Sequence, residues 1–378
     1  MSETSRKVPI TMFSPQNRTV AVSLITLALT ALGPGVRAEW LPLAPAQPPP
    51  TNPLRGLMPY QASGGFSGFP HSLEYQYLAM RDLMTGPATF DWAPLEALLD
   101  DVASRGKQTV FRVYLDFPNC CPAGSYQSGV PDFLFAGSGA VTLTSYPEHG
   151  GGMSPDYDNE RLLVAVEQLA VALGAAYDGD PRIGFVQVGV VGMWGEWHTY
   201  PYDGFEQSPN LMPTLASQAR VLRAYGEAFA STRLVVSQDG MDQFDASTPC
   251  GAGSICPADF AALGVGFHDD NFCVGTYDAA NNLEWYFQPK LVARGLDELW
   301  RQQPIGGEIQ PAIQAELFTA GWTGQSYFEA VNAVHASFLL NQFAFEPDGN
   351  ADRVARTLAG AAHLGYRLRV TEAELLTT

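Results

Sequence analysis

Short apolar runs alternate along this chain with stretches in which apolar residues return every three or four positions. That is the pattern of strands separated by amphipathic helices. Gly56-Leu57-Met58-Pro59-Tyr60 reads as a weak first strand and Glu74 to Met80 (EYQYLAM) as a second. A helix follows Phe90-Asp91-Trp92, with Asp91 as N-cap, Leu95, Leu98, Leu99 and Val102 on its buried side, and Gly106 as its stop. Gln108 to Leu115 is a third strand. Asn159 to Tyr177 is a strong helix, with Leu162, Leu163, Val166, Leu169, Ala170 and Leu173 on one face. Ile183 to Val191 (IGFVQVGVV) is almost continuously apolar, as a strand covered on both faces should be. Further strands are predicted at Arg233–Ser237, Leu263–Phe267, Pro304–Ile309 and Phe338–Phe343. Helices are predicted over Leu211–Phe229, from just after Pro289 to Trp300, over Ser326–Ala336 and over Ala351–Leu364.

Eight strands alternating mostly with helices predict an α/β fold, an irregular (β/α)8 TIM barrel. The irregularity lies between the first two strands, whose connection is too short and glycine-rich for a good helix. An open doubly wound sheet would want a phosphate loop after its first strand, and Gly64-Gly65 and Gly68 do not supply the dinucleotide pattern. Residues 1–38 read as a signal peptide: Arg6, Lys7 and Arg18 flank an apolar run from Thr19 to Leu32, and Val36-Arg37-Ala38 suits cleavage. The run is short for a stable membrane span. A Pro-rich linker follows to residue 53, the barrel occupies 54–365, and 366–378 reads as the start or remnant of a C-terminal β element. The expected location is therefore secreted or periplasmic.

Charge narrows the partners. The chain carries 21 Lys+Arg against 39 Asp+Glu, or −18. Four of those basic residues and one acidic one precede residue 39, so the remainder carries −21. A duplex phosphate binder needs a basic surface, which argues against nucleic acid. A neutral or weakly charged oligo- or polysaccharide meets no such penalty. Five cysteines in an exported chain suggest disulfides. Cys250 and Cys256 are spaced to close a short loop, and Cys120 or Cys121 is a candidate to reach Cys273, with one thiol left over. Neither the cysteines nor the six histidines have zinc-site spacing, so no dedicated metal and no cofactor is expected, although Asp269-Asp270 is a minor candidate for calcium.

Two glutamates stand out. Glu196 lies between tryptophans in Gly192-Met193-Trp194-Gly195-Glu196-Trp197-His198, directly after the fourth strand, where an apolar wall would favour its protonated form. Glu308 ends the seventh strand in Gly306-Gly307-Glu308-Ile309, where two glycines let a ligand or a neighbouring strand come close. Barrel enzymes carry their chemistry at the C-terminal ends of strands. Strands four and seven stand nearly opposite, so the pair is placed to flank a glycosidic bond. A structural pairing of Glu308 with Arg112 is the plainer alternative. Around the mouth, Trp194, Trp197 and Trp322 are candidate sugar platforms. Arg112, Asp116, His198, Asp239, His268 and Asn341 are candidate polar contacts for a hydroxyl-rich ligand. The long excursion from Asp116 to Asp156 is of a length that is usually functional.

The arrangement resembles the large retaining glycoside hydrolase clan, which implies Glu196 as acid/base and Glu308 as nucleophile. In that clan the acid/base follows an asparagine that contacts the sugar 2-hydroxyl, whereas Gly195 precedes Glu196 here. The blocks Asn52-Pro53-Leu54-Arg55-Gly56, Phe90-Asp91-Trp92, Arg105-Gly106-Lys107, Trp194 to His198 and Gly306-Gly307-Glu308 resemble, more closely, a bacterial family of secreted, uncharacterised barrel proteins related to beta-galactosidase-like enzymes. That family often continues into a C-terminal β-domain. No Gly-x-Ser-x-Gly elbow and no His-Glu-x-x-His helix points to esterase or metalloprotease chemistry. Two readings stand: a retaining glycoside hydrolase, or a non-catalytic carbohydrate-binding or surface protein on a degenerate barrel.

Overall fold

The computed structural model describes residues 51–61, 69–120, 127–203, 209–241, 257–277, 286–345 and 350–369, with short pieces at 11–13, 19–21, 37–43, 49 and 372–377. Eight parallel strands form one sheet: β1 Gly56–Met58, β2 Leu73–Ala79, β3 Gln108–Tyr114, β4 Ile183–Gln187, β5 Arg233–Ser237, β6 Val265–Phe272, β7 Ile305–Ile309 and β8 Phe338–Leu340. Each pairs with its neighbour in the chain, and β8 returns to β1. The ring closes through a parallel bridge from Tyr60 to Tyr75, with the Tyr75 N–H donating to the Pro59 carbonyl at 2.9 Å. This is the (β/α)8 barrel that the pattern predicts.

The helices lie outside. After a single helical turn at Met80–Leu83 they are α1 Ala93–Ser104, α2 Glu160–Tyr177, α3 Leu215–Ala228, α4 Pro257–Ala262, α5 Phe287–Ala293, α6 Tyr327–Val334 and α7 Ala351–His363. Their starts are written in the sequence. Asn159 accepts from the Arg161 and Leu162 N–H groups, Thr214 from that of Ser217, and Asn350 from those of Asp352 and Arg353. Asp91 caps the Ala93 N–H at 2.9 Å, and Gly106 ends the turn after α1 at φ +69°. The apolar faces of α1 and α2 join the outward faces of the strands in the main core. A second, smaller core fills the barrel itself, from Met58, Leu73, Tyr75, Val110, Phe185, Val235, Phe338 and Leu340.

Several predicted boundaries move. The fourth strand stops at Gln187 rather than Val191, because Val190 and Gly192 adopt left-handed φ and break the ladder. The sixth extends to Phe272, so Asp269 and Asp270 lie within it and not beyond it. The helix expected up to Trp300 ends at Ala293, and Leu299–Arg301 is a separate 3-10 turn. The eighth strand ends at Leu340, followed by the turn Gln342–Phe345. The long excursion holds an antiparallel hairpin, Leu143–Tyr146 with Gly152–Pro155. The tail pairs antiparallel at Arg367–Arg369 with Thr11–Phe13, and Glu372–Thr377 pairs with Arg37–Pro42.

Cys273 is a fully buried free thiol and takes no part in the cross-link considered for it. Cys121, Cys250 and Cys256 lie outside the described residues. No helix among the described residues is long and apolar enough to cross a membrane.

Candidate active site

Two residues further along the strands than the apolar plug, the barrel interior turns polar. Val110 gives way to Arg112, Phe185 to Gln187, Gly266 to His268 and Gly306 to Glu308, each on the same face of its strand because side chains alternate. Arg112 is the hub. It is 1% exposed, and a buried guanidinium persists only where its donors are met. Its Nε donates to Gln187 Oε1 at 2.7 Å, Nη1 to Glu196 Oε1 at 3.1 Å and Nη2 to Asp270 Oδ2 at 2.9 Å. The rings of Tyr77 and Tyr75 lie 5.4 and 5.9 Å from the guanidinium carbon, within cation–π range.

Glu196 is delivered to that hub by a strained loop. Val190, Trp194 and Trp197 all have positive φ, 59°, 52° and 61°, with Gly192 and Gly195 at 77° and 71° between them. Non-glycine residues in that region cost on the order of 1–3 kcal/mol each and cluster at functional sites. Gly195 is required twice over. Its φ is left-handed, and a Cβ there would lie 3.2 Å from Arg112 Cδ. The loop turns Trp197 into the core, where its indole N–H donates to the Val188 carbonyl at 2.6 Å, so it is no sugar platform. Trp197 therefore supplies no part of the apolar wall expected around Glu196. Its carboxylate lies between Arg112 and His198, whose Nε2 is 3.4 Å from Oε2. His198 Nδ1 accepts the Tyr200 N–H at 3.3 Å, which leaves the ring proton on Nε2, facing Glu196. Burial opposes charge on His198, but the hydrogen bond to Glu196 and the charges of Asp239, Glu196 and Asp270 raise its affinity for a second proton.

Glu308 is buried at the end of β7 and does not pair with Arg112. Gln314 Nε2 donates to its Oε1 at 2.6 Å, and the Tyr60 hydroxyl reaches the same oxygen at 3.4 Å. Gln314 is oriented by accepting the Gln342 N–H on its own Oε1 at 3.0 Å. Burial, then the charges of Asp270 and Glu196, push the Glu308 carboxyl well above the ordinary range, while Arg112 and Gln314 pull against them. The glycines before it admit a neighbouring strand. A Cβ on Gly306 would meet the Phe338 ring at 2.6 Å, and one on Gly307 the Asp269 carbonyl at 2.0 Å.

The other expected contacts divide. His268 is fully buried between Arg112 and Asp270, with Nδ1 3.1 Å from Asp270 Oδ2. Trp194 is half-buried beside Glu196, its ring 5.1 Å from His149 and 6.1 Å from His198. Asp239 is partly exposed, 3.7 Å from Lys290 Nζ. Three residues serve structure instead. Asp116 is sealed beneath the hairpin, where it accepts the Tyr146 hydroxyl at 2.8 Å, and burial pushes its carboxyl up to about 6. Trp322 donates to the Gln325 carbonyl within its own loop. Asn341 is fully buried and braces the turns around Gln314 and Ala344.

Sequence reasoning did not single out Tyr60 or Gln314, and it weighed Asp270 only together with Asp269, as a polar end of the sixth strand and a minor candidate for calcium. For Asp270 the signal was present, since it shares a strand face with His268. Asp269 points the other way, with its Oδ1 accepting the Asn271 N–H, so the two aspartates do not converge on a cation. Among the described residues no group of His, Cys, Asp and Glu is arranged to hold a metal.

No protein-family model and no curated protein matches the chain. Similar solved structures include the catalytic domain of beta-amylase from Paenibacillus polymyxa, 11% identical, covering 81% of this chain and 97% of that one, with a TM-score of 0.46. Endo-glycoceramidase II from Rhodococcus sp., in its ganglioside GM3 complex, is 14% identical over 81% of this chain and 78% of that one, with a TM-score of 0.47. A GH5-4 broad-specificity endoglucanase from an uncultured bacterium is 9% identical over 77% and 81%, with a TM-score of 0.40. Likeness at this level bears on neither substrate nor mechanism.

Proposed function

We propose that this chain is a retaining glycoside hydrolase acting on a neutral or weakly charged glycan. Glu308 attacks the anomeric carbon as the bond to the leaving oxygen breaks, and that oxygen takes the proton of Glu196. Water then attacks the same carbon, its proton returns to Glu196, and the bond to Glu308 breaks. The observation that carries this reading is the anchoring of Glu308. Both of its described hydrogen bonds end on Oε1, which leaves Oε2 to attack from a fixed position. Glu196 is the more exposed of the pair, 15% against 5% for the whole Glu308 residue, and has His198 beside it, so its proton can be renewed each cycle.

The charge of Glu196 is among those that disfavour charge on Glu308. In the free protein the balance favours the proton on Glu308, and hydrolysis by this route uses the other arrangement. Productive turnover therefore needs Glu308 ionised, and kcat/KM should rise with pH on an acid limb displaced upward from the ordinary carboxylate range. Trp194 supplies an aromatic face beside the leaving group.

A second reading, a non-catalytic sugar-binding barrel, is favoured by the ion pair of Glu196 to Arg112. One experiment separates the two: incubation with 2-deoxy-2-fluoro glycosides bearing good leaving groups, followed by peptide mapping. A glycosyl ester on Glu308, with turnover lost by about 10³-fold or more in Glu308→Gln, supports the hydrolase. An ester on Glu196 reverses the two roles. Glycan binding that Glu308→Gln leaves intact, with no turnover by the wild type, makes the protein a binder. We also propose export to the periplasm or beyond, tested by N-terminal sequencing of the protein recovered outside the cytoplasm.

A further inference from the structure

Two carboxylates, not one, share Arg112. The hydrogen bond to Asp270 (2.9 Å) is shorter than that to Glu196 (3.1 Å), and Asp270 also has His268 Nδ1 within 3.1 Å. Asp270 is 11% exposed, and it lies on the face of β6 that looks into the barrel. A glutamate alone against a buried guanidinium is held ionised and is a poor proton donor. The proposed reaction asks Glu196 to donate.

We propose that Asp270 is a positioning residue that occupies the charge of Arg112, so that Glu196 meets a guanidinium already paired and is free to carry a proton. This rests on the hydrolase reading for its purpose, but not for its physics. Burial works against the charge of Asp270, yet Arg112 and His268 outweigh it and hold the carboxyl well below the ordinary range, as a permanent counter-ion requires. The same negative charge pushes Glu308 upward from the neighbouring strand. Asp270 thus supports the proton on both members of the pair, whichever holds it.

The groups that bear on this balance come from every side of the mouth. Arg112 is on β3, Glu196 and His198 follow β4, and Glu308 is on β7. Asp239 follows β5, with Lys290 of α5 beside it. Tyr60, Tyr75 and Tyr77 line the β1–β2 side, and burial holds all three hydroxyls neutral. His268 neighbours Asp270 on β6, and Asp269 faces the opposite side of that strand. Only Asp270 and Glu196 pair with Arg112 among the described residues.

The test needs no substrate. The full chain is labelled with glutamate carrying ¹³C at its side-chain carboxyl, and Glu196 and Glu308 are assigned through Glu196→Gln and Glu308→Gln. Their titrations are then followed by NMR in the wild type and in Asp270→Asn. Both midpoints should fall, by about one pH unit or a tenfold loss of proton affinity. Asp270→Glu, which keeps the charge, should restore them. If Asp270→Asn does not fold, Asp270→Ser leaves room for water beside Arg112 and is read the same way. Unmoved midpoints in a folded neutral variant overturn the proposal. Midpoints that fall in a protein that hydrolyses no glycoside would leave this proposal standing and remove only the hydrolase reading. With turnover, a further split is expected: glycosides with poor leaving groups, which need the acid, should lose more kcat in Asp270→Asn than those with good ones.

Discussion

The lower and upper layers of the barrel interior lie two residues apart on the same strands, yet they obey different rules. Below, Leu73, Val110, Phe185, Val235 and Phe338 pack as a dry plug whose only requirement is volume. Above, Arg112, Gln187, His268 and Glu308 occupy the next inward positions and are equally buried. There each side chain must find a partner of the right charge and direction. A misfit in the lower layer leaves a hole. One in the upper layer leaves a charge.

The largest effect should come from removing one member of each layer and varying pH. Phe338→Ala opens a cavity and should cost about 3–5 kcal/mol. Arg112→Met should cost a similar 3–5 kcal/mol near neutral pH, because two buried carboxylates lose their counter-ion. The sign of the pH dependence separates them. Without Arg112, Glu196 and Asp270 bind protons more tightly folded than unfolded. That penalty is present at neutral pH and fades as pH falls toward the ordinary carboxylate range. The Phe338→Ala deficit should stay flat. Parallel curves in urea denaturation at pH 7.5 and 5 would break the distinction between the layers.

Asp116 is a control outside the barrel. It too is buried, and its carboxyl is pushed up to about 6 from 3.8. A raised folded value means that stability is greatest below the unfolded value and is lost as pH rises through the folded one. Two units correspond to about 3 kcal/mol at most. Asp116→Asn should therefore stabilise the chain at pH 7.5 relative to wild type, by roughly 1–2 kcal/mol once the amide's unmet donor is counted. At pH 4 the gain should vanish. A gain independent of pH would mean that Asp116 is not held near neutrality.

How much of this was legible in the sequence follows the same division. The lower layer was readable because volume and period are local properties: Val110, Phe185 and Phe338 announce their strands. Glu196 and Glu308 were readable because carboxylates in apolar strand ends need a reason. The partners were not. Whether Arg112 faces Glu308 or Glu196 depends on where a left-handed loop from Val190 to Trp197 sets the second glutamate down, and residue type points to those φ values only at Gly192 and Gly195, not at Val190, Trp194 or Trp197. Trp197 was misassigned for the same reason, since the turn sends it into the core. Asp270 was read as lying beyond its strand because of a boundary error: with β6 ended at Phe267, the inward phase it shares with His268 went unused.

The finest difference between the layers is in how the upper one fixes direction. Gln314→Ala removes the 2.6 Å bond to Glu308 and the acceptor of the Gln342 N–H, so a loss of about 1–3 kcal/mol is expected. Tyr60→Phe removes only a long 3.4 Å contact to the same oxygen, and its cost should be about 0.5–1 kcal/mol. The hydroxyl donates to Glu308 Oε1 and so favours the charged carboxylate, while the ring excludes water and favours the neutral one. Phenylalanine keeps the ring and loses the donor. The Glu308 midpoint should then rise slightly, and the acid limb of any pH–rate profile should rise with it. In the apolar layer an equally conservative change, Phe338→Leu, has no titration to move. A downward shift of Glu308 in Tyr60→Phe would mean that the hydroxyl accepts a hydrogen bond from a protonated Glu308 instead of donating one to it.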